Sequence, residues 1–346
     1  MTTVTAYALT ESHGHFTKTT IERRDLGPKD VSIAIKYAGI CHSDIHTARE
    51  EWGSIELPLV PGHEIAGIVE AIGSEVTKFA VGDRVGVGCM VNSCRTCENC
   101  LAGEEQYCLK GNIGTYNNVD VDGSITRGGY STHVVVDEHF VLSIPDGLEL
   151  DVAAPLLCSG ITMYSPLSHW KAGPGMKVAI VGLGGLGHVG VKIAHAMGAE
   201  VTILTRSEDK RADAERLGAD HFFSTSNPEV MKTLRGSFDL IINTISAGIK
   251  AGDYLALLRL DGALVNVGVS PEPYSVRFGQ LAQGRRSLSA SGIGGIRETQ
   301  EMLDFCAANG FGADIEVISA AQIDEAYDRV VASDVRYRFV IDISSF

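Results

Sequence analysis

The feature that most constrains the fold is the run Met176-Lys-Val-Ala-Ile-Val-Gly182-Leu-Gly184-Gly-Leu-Gly187. An apolar stretch that reads as a buried strand leads into Gly-x-Gly-x-x-Gly, and an amphipathic helix follows with Leu186, Val189, Ile193 and Met197 as its apolar positions. Glycines there permit a tight turn, a close approach of backbone to a pyrophosphate, and tight packing of helix on strand. Gly182, Gly184, Gly185, Leu186 and Gly187 are therefore candidate cofactor-binding residues. Without its flanking elements the pattern would be only a glycine-rich turn. From about residue 176 strands and helices alternate over 177–181, 186–197, 201–205, 207–217, 239–243 and 263–267, which implies a parallel sheet built from right-handed crossovers.

The choice of dinucleotide falls at the end of the next strand, about 20 residues on, where an Asp or Glu would grip the ribose hydroxyls of NAD. This chain has Thr205 there, followed by Arg206, Ser207, Lys210 and Arg211. Hydroxyl and guanidinium donors suit a dianionic 2'-phosphate, so the expected cofactor is NADP(H). Lys210 and Arg211 read equally well as the solvated face of a helix, and the assignment rests more on Thr205 and Arg206.

The first 150 or so residues have a different texture: short β-rich runs at 31–37, 65–72 and 133–136, punctuated by Gly, Pro and Asp. They read as an irregular antiparallel β domain. A helical stretch at 298–309 and a β-like run at 338–343 are expected to rejoin it. With 346 residues there is room for about two domains. A formal net charge of -14 argues against nucleic acid or an anionic membrane as partner. No apolar run is long enough for a membrane span, and the opening Met-Thr-Thr-Val-Thr-Ala-Tyr has neither a signal-peptide nor a transit-peptide pattern. A soluble, cytoplasmic protein is expected.

Cys94, Cys97, Cys100 and Cys108 have two, two and seven residues between them. Four thiolates so close form a closed tetrahedral cage, the signature of structural zinc; a pair of disulfides would suit a small secreted domain instead. Cys41 and His63 lie in turns rich in Gly and Pro, and Cys158 stands just before the nucleotide-binding half. Two thiolates, an imidazole and a water would make an open catalytic zinc site. Their spacing alone is too wide to be diagnostic, and each taken singly reads as well as core packing. His13 and His15 read as surface residues, Cys89 and Cys306 as buried or incidental thiols.

Gly39-Ile-Cys-His-Ser-Asp-Ile-His46, Pro61-Gly-His-Glu64, the four-cysteine segment and Gly-Leu-Gly-Gly-Leu-Gly, in that order and over nearly the whole chain, resemble the zinc-dependent medium-chain alcohol dehydrogenase family. Gly114-Thr-Tyr-Asn, Gly128-Gly-Tyr-Ser131, Ala154-Pro-Leu-Leu-Cys158-Ser-Gly-Ile-Thr162 and Val335-Arg-Tyr-Arg-Phe resemble its NADP-dependent cinnamyl-alcohol-dehydrogenase branch. The resemblance implies an α/β fold with a GroES-like β-rich catalytic domain over 1–159 and 293–346, a structural zinc lobe at about 89–112, and a Rossmann domain over 160–292. It also implies two Zn2+ per chain and a homodimer through the Rossmann domains.

Carried over residue by residue, it implies Cys41, His63 and Cys158 as catalytic zinc ligands and Cys94, Cys97, Cys100 and Cys108 as structural ones. Glu64 becomes an alternative ligand, and Asp44 the carboxylate that orients the ligating histidine. Ser43 would hydrogen-bond the substrate hydroxyl and pass its proton through the nicotinamide ribose to His46. His42 would meet the pyrophosphate, Thr162 the nicotinamide, and Val267, Val269 and Ile293 the wall behind that ring. Trp52, Leu57 and Tyr116 would lie near the substrate pocket. Without the resemblance, His46 reads as a surface helix histidine and Trp52 equally as core.

The implied reaction is hydride transfer between NADPH and aromatic or medium-chain aldehydes, with their primary alcohols as products. Two other readings stay open. One is a zinc polyol dehydrogenase acting on secondary alcohols, against which Thr205 counts. The other is a non-catalytic NADPH-binding redox sensor, in which lost zinc ligands would be expected.

Overall fold

The strand Asp30–Gly39 alternates buried Val31, Ile33 and Ile35 with more open positions, the period of a strand with one face on a core. Val31 and Ile33 have no exposed surface, and each such side chain contributes about 1.5–3 kcal/mol on burial. The strand pairs antiparallel with Ile65–Ile72, with His133–Asp137 and, near its end, with Arg338–Asp342. Arg84–Val87 and Leu142–Ser143 extend the sheet on one side, and Ile315–Ile318 lies parallel to Arg338–Asp342 on the other. An opening hairpin, Thr2–Leu9 with Phe16–Arg23, stands apart from this sheet. The computed structural model describes residues 1–270 and 272–346. It divides into Met1–Ile161 with Gly294–Phe346, which contains this sheet, and Thr162–Ile293.

The register decides where the loops that matter begin. The Gly39 N–H donates to the Glu64 carbonyl at 2.9 Å, and the Ile40 N–H to the Phe339 carbonyl at 2.9 Å. Antiparallel pairing thus brings the end of Asp30–Gly39 and the starts of Ile65–Ile72 and Arg338–Asp342 to one margin of the sheet. Cys41, His63 and Arg338 all sit there. Farther along, Met90–Asn92 and Ile113–Gly114 pair antiparallel at the base of a lobe that holds the helix Glu98–Leu101 and the 3-10 turn Glu105–Tyr107.

Thr162–Ile293 is built on six strands, all parallel, in the order His221–Ser224, Glu200–Thr205, Lys177–Val181, Phe238–Asn243, Leu258–Asn266, Ser287–Ala290. The central strands are buried on both faces, as crossover helices require: Val178, Ala179, Ile180 and Val181 have no exposed surface. The chain order reverses beside Lys177–Val181, the first strand, and Gly182–Gly187 emerges from its carboxyl end at that switch point.

Two elements differ from expectation. The strand expected at 263–267 begins earlier, at Leu258, through exposed Arg259, Leu260 and Asp261, which gave it no buried-strand signature. The helix expected over 207–217 opens as a 3-10 turn, Glu208–Lys210, and becomes α-helical only over Arg211–Leu217. No helix among the described residues is long and apolar enough to cross a membrane.

Candidate active site

Cys41 caps the helix His42–Ala48 from an extended conformation, and its N–H donates to Asp44 Oδ2 at 2.9 Å. That is half of a capping box, with the carboxylate at the third helical position turned back on the cap. The other oxygen, Asp44 Oδ1, accepts from the Gly62 N–H at 3.0 Å and from His63 Nδ1 at 3.2 Å. In the neutral ring, with Nδ1 donating, His63 Nε2 has its lone pair to offer a metal. Burial works against a charged His63, but the neighbouring Asp44 carboxylate outweighs it and raises the imidazole well above its ordinary range.

Cys158 follows the 3-10 segment Ala154–Leu157, and its sulfur lies 3.9 Å from that of Cys41. A tetrahedral zinc with bonds of about 2.3 Å to sulfur has S···S edges of about 3.8 Å. One donor atom from each of Cys41, His63, Glu64 and Cys158 lies within 4.8 Å of the others. All four residues are buried. A hydrogen bond between the two thiols holds Cys41 well below the ordinary thiol range and pushes Cys158 up.

Glu64 fits beside them because position 39 lacks a side chain: a Cβ there would stand 2.0 Å from Glu64 Oε2. Its Oε1 accepts from Arg338 Nη2, while Oε2 is buried with no hydrogen-bond partner among the described residues. Burial pushes this carboxyl up to about 7 against the pull of Arg338. Two sulfurs, an imidazole and an orphaned carboxylate oxygen, all dry, form a donor set that a zinc ion completes.

The second cluster is closed. Cys94, Cys97, Cys100 and Cys108 also offer sulfurs within 4.8 Å of one another, with Cys94–Cys100 at 3.9 Å and Cys97–Cys100 at 3.4 Å. These separations are far longer than an S–S bond of about 2.05 Å, and all eight cysteines are free thiols. Backbone N–H groups of Cys97, Cys108's neighbour Leu109, and Cys94 point at sulfurs, at 3.4, 3.5 and 3.4 Å. N–H donation from Thr96 and Cys97 brings the Cys94 thiol down to about 5, as a thiolate ligand needs. Four sulfurs leave no coordination position for a substrate.

At the nucleotide turn Gly182 has φ of 95°, and a Cβ on Gly187 would stand 2.1 Å from the Gly182 carbonyl oxygen. Gly184 faces open space, leaving room for a phosphate against the backbone. Gly185 and Leu186 complete the turn into the helix Gly187–Ala196. Thr205 ends its strand; Arg206 and Ser207 are exposed beyond it, and Lys210 Nζ donates to the Leu183 carbonyl at 2.8 Å, within the glycine turn. Arg211 is otherwise engaged, paired with Glu208 and lying over the Phe222 ring.

Thr162 and Val267 are buried and Val269 exposed. Ile293 has φ of 38°, a strained conformation for a β-branched residue. Ser43 Oγ lies 3.7 Å from Cys41 Sγ, and His42 faces His46 at 6.0 Å between ring centroids. Trp52 is not core: it is 51% exposed and stacks on His46 at 4.9 Å. Tyr116 stacks on His63 at 5.8 Å, and Leu57 is exposed. Arg338 was not among the expected site residues; its one sequence signal was membership of the Arg-Tyr-Arg-Phe segment.

Residues 27–146 match the family model described as Alcohol dehydrogenase GroES-like domain, and residues 185–308 the one described as Zinc-binding dehydrogenase. The chain is 61% identical over 346 residues to NADP-dependent alcohol dehydrogenase C 1 of Mycolicibacterium smegmatis, covering 100% of this chain and 99% of that one. It superposes on a cinnamyl alcohol dehydrogenase of Sorghum bicolor with a TM-score of 0.96 at 42% identity, over 99% of this chain and 98% of the other. The Helicobacter pylori CAD complexed with NADP(H) gives a TM-score of 0.93 at 43% identity, over 99% of both chains. This chain carries an antiparallel sheet in the part matched by the GroES-like model, a parallel nucleotide-binding sheet and two zinc-type donor sets, and it belongs to the zinc-binding alcohol dehydrogenase family.

Proposed function

We propose that this protein is a zinc- and NADP(H)-dependent alcohol dehydrogenase that works as a reductase of aromatic and medium-chain aldehydes: aldehyde, NADPH and a proton give primary alcohol and NADP+. The observation that carries the reading is the buried quartet Cys41, His63, Glu64 and Cys158, with Glu64 Oε2 unpartnered. Cys41, His63 and Cys158 would hold the catalytic zinc and Glu64 stand by as an alternative ligand. Bound there, zinc supplies Lewis acidity to the substrate oxygen.

The rest of the chemistry belongs to side chains. Asp44 holds His63 in the tautomer whose Nε2 is a ligand. Ser43 hydrogen-bonds the substrate hydroxyl, and His46, with Nδ1 on Glu51, is the outer end of the proton path. Glycines 182, 184, 185 and 187, with Leu186, seat the pyrophosphate with His42; Thr205, Arg206, Ser207 and Lys210 receive the 2'-phosphate. Thr162, Val267, Val269 and Ile293 border the nicotinamide. Aromatic substrates are favoured by Tyr116 on His63 and by Trp52 on His46, with Leu57 completing the apolar set. Cys94, Cys97, Cys100 and Cys108 hold a zinc that braces the lobe.

The cytoplasm suits eight free thiols. A homodimer through the nucleotide-binding sheets is supported by the edge strand Ser287–Ala290, where Leu288 is 37% exposed. The test is a panel of aldehydes and alcohols with both cofactors on protein of measured zinc content. About two zincs per chain with NADPH-dependent reduction of benzaldehyde or cinnamaldehyde is the expected result. Zinc-replete protein inert to every carbonyl would overturn the reading.

A further inference from the structure

Cys89 has no part in either donor set, yet it is packed against one of them. The half-buried thiol donates to the Leu157 carbonyl at 3.8 Å, and its side chain hydrogen-bonds with that of Cys158. The backbones are equally close, since a Cβ on Gly88 would stand 2.9 Å from the Leu157 carbonyl oxygen. Position 89 is held from its other side by the Thr115 N–H, which donates to the Cys89 carbonyl at 3.2 Å. Three thiols therefore form a chain, Cys89 to Cys158 to Cys41, whose last two members are buried and whose first is the most open.

We propose that Cys89 is an oxidation site that disables the metal centre: peroxide oxidises its thiol, and Cys158 is captured as a disulfide and withdrawn from the donor set. Peroxide takes two electrons from the Cys89 sulfur to give a sulfenic acid and water. The Cys158 thiolate then attacks that sulfur, forming the S–S bond and expelling hydroxide, which takes up a proton as water. The two sulfurs together lose two electrons and the peroxide becomes two waters. Cys41, His63 and Glu64 remain with one thiolate fewer, a poor site for zinc. A dithiol reductant reverses the bond, and zinc can then return. This rests on Cys158 being a zinc ligand; the pairing of Cys89 with Cys158 is tested independently of that.

The experiment treats zinc-loaded enzyme with hydrogen peroxide and follows zinc release with a chromogenic chelator, while peptide mapping without reduction locates the disulfide. Zinc is counted before treatment, so protein that never held the second metal exposes failure of the site assignment by itself. The expected result is a Cys89–Cys158 linked peptide pair whose yield tracks loss of about one zinc per chain, both reversed by dithiothreitol and added zinc. Cys89→Ser, with Cys89→Ala as a second variant, should keep wild-type activity and lose zinc at least about ten times more slowly at the same peroxide concentration.

Discussion

Asp44 Oδ1 meets His63 Nδ1 at 3.2 Å with no solvent exposure on the carboxylate. The same side chain caps the helix that begins at Cys41 and pins the Gly62 N–H, so one residue sets the positions of two donors. Asp44→Asn keeps an acceptor of the right shape and loses the charge. Zinc affinity at this site should fall about 10–100-fold, with the lobe zinc retained. Competition against a chelator, read as two separate zinc equivalents, checks it; unchanged affinity would mean the carboxylate charge does not matter there.

Arg338 and Glu64 are a fully enclosed ion pair. Arg338→Met leaves Glu64 without its countercharge, at a cost of about 3–5 kcal/mol. Adding Glu64→Gln should recover most of that loss, because the uncompensated charge goes with it. Urea denaturation of the two proteins decides between these outcomes, and equal midpoints for single and double variants would count against a charge effect.

Gly187 and Gly184 separate packing from binding. A Cβ on Gly187 collides with the Gly182 carbonyl, so Gly187→Ala should lower both melting temperature and NADPH affinity. Gly184→Ala meets no protein atom and should melt like the wild type while binding NADPH about ten times more weakly. Fluorescence titration with NADPH beside thermal melts distinguishes the pair.

Thr205→Asp with Arg206→Ile places a carboxylate where the 2'-phosphate is expected and removes a guanidinium. A charge-assisted hydrogen bond is worth about 1.5–3 kcal/mol, so the ratio of kcat/KM for NADPH over NADH should drop about 10–100-fold. An unchanged ratio would remove both residues from the phosphate site.

Legibility followed burial. Lys177–Val181 and Ile65–Ile72 stand where the sequence reading puts them, since the first is apolar after Lys177 and the second apolar but for Glu70, as a largely buried strand requires. The start of Leu258–Asn266 is exposed and was invisible for that reason. The opening hairpin also escaped notice: its second strand, Phe16–Arg23, is mostly exposed and rich in Thr, and gives little hydrophobic contrast. In the candidate site, Cys41, His63 and Cys158 were reached through the family pattern rather than their spacing. Arg338 was missed because it matters only through a partner far away in the chain, Glu64. Such pairings are set by strand register, which no local pattern records.

Glu64 and Arg338 are 274 residues apart, and this has a consequence for how the protein is made. A ribosome delivers Glu64 well before Arg338, while amino-terminal segments generally begin to fold first. Until the final strand is released and adds itself beside Asp30–Gly39, the nascent metal centre holds a buried acid with no base opposite it. Maturation of the site therefore waits until Arg338 has been made, and a chain stopped short of that residue should carry a defect felt at Glu64, beside the proposed zinc, rather than at its own frayed end.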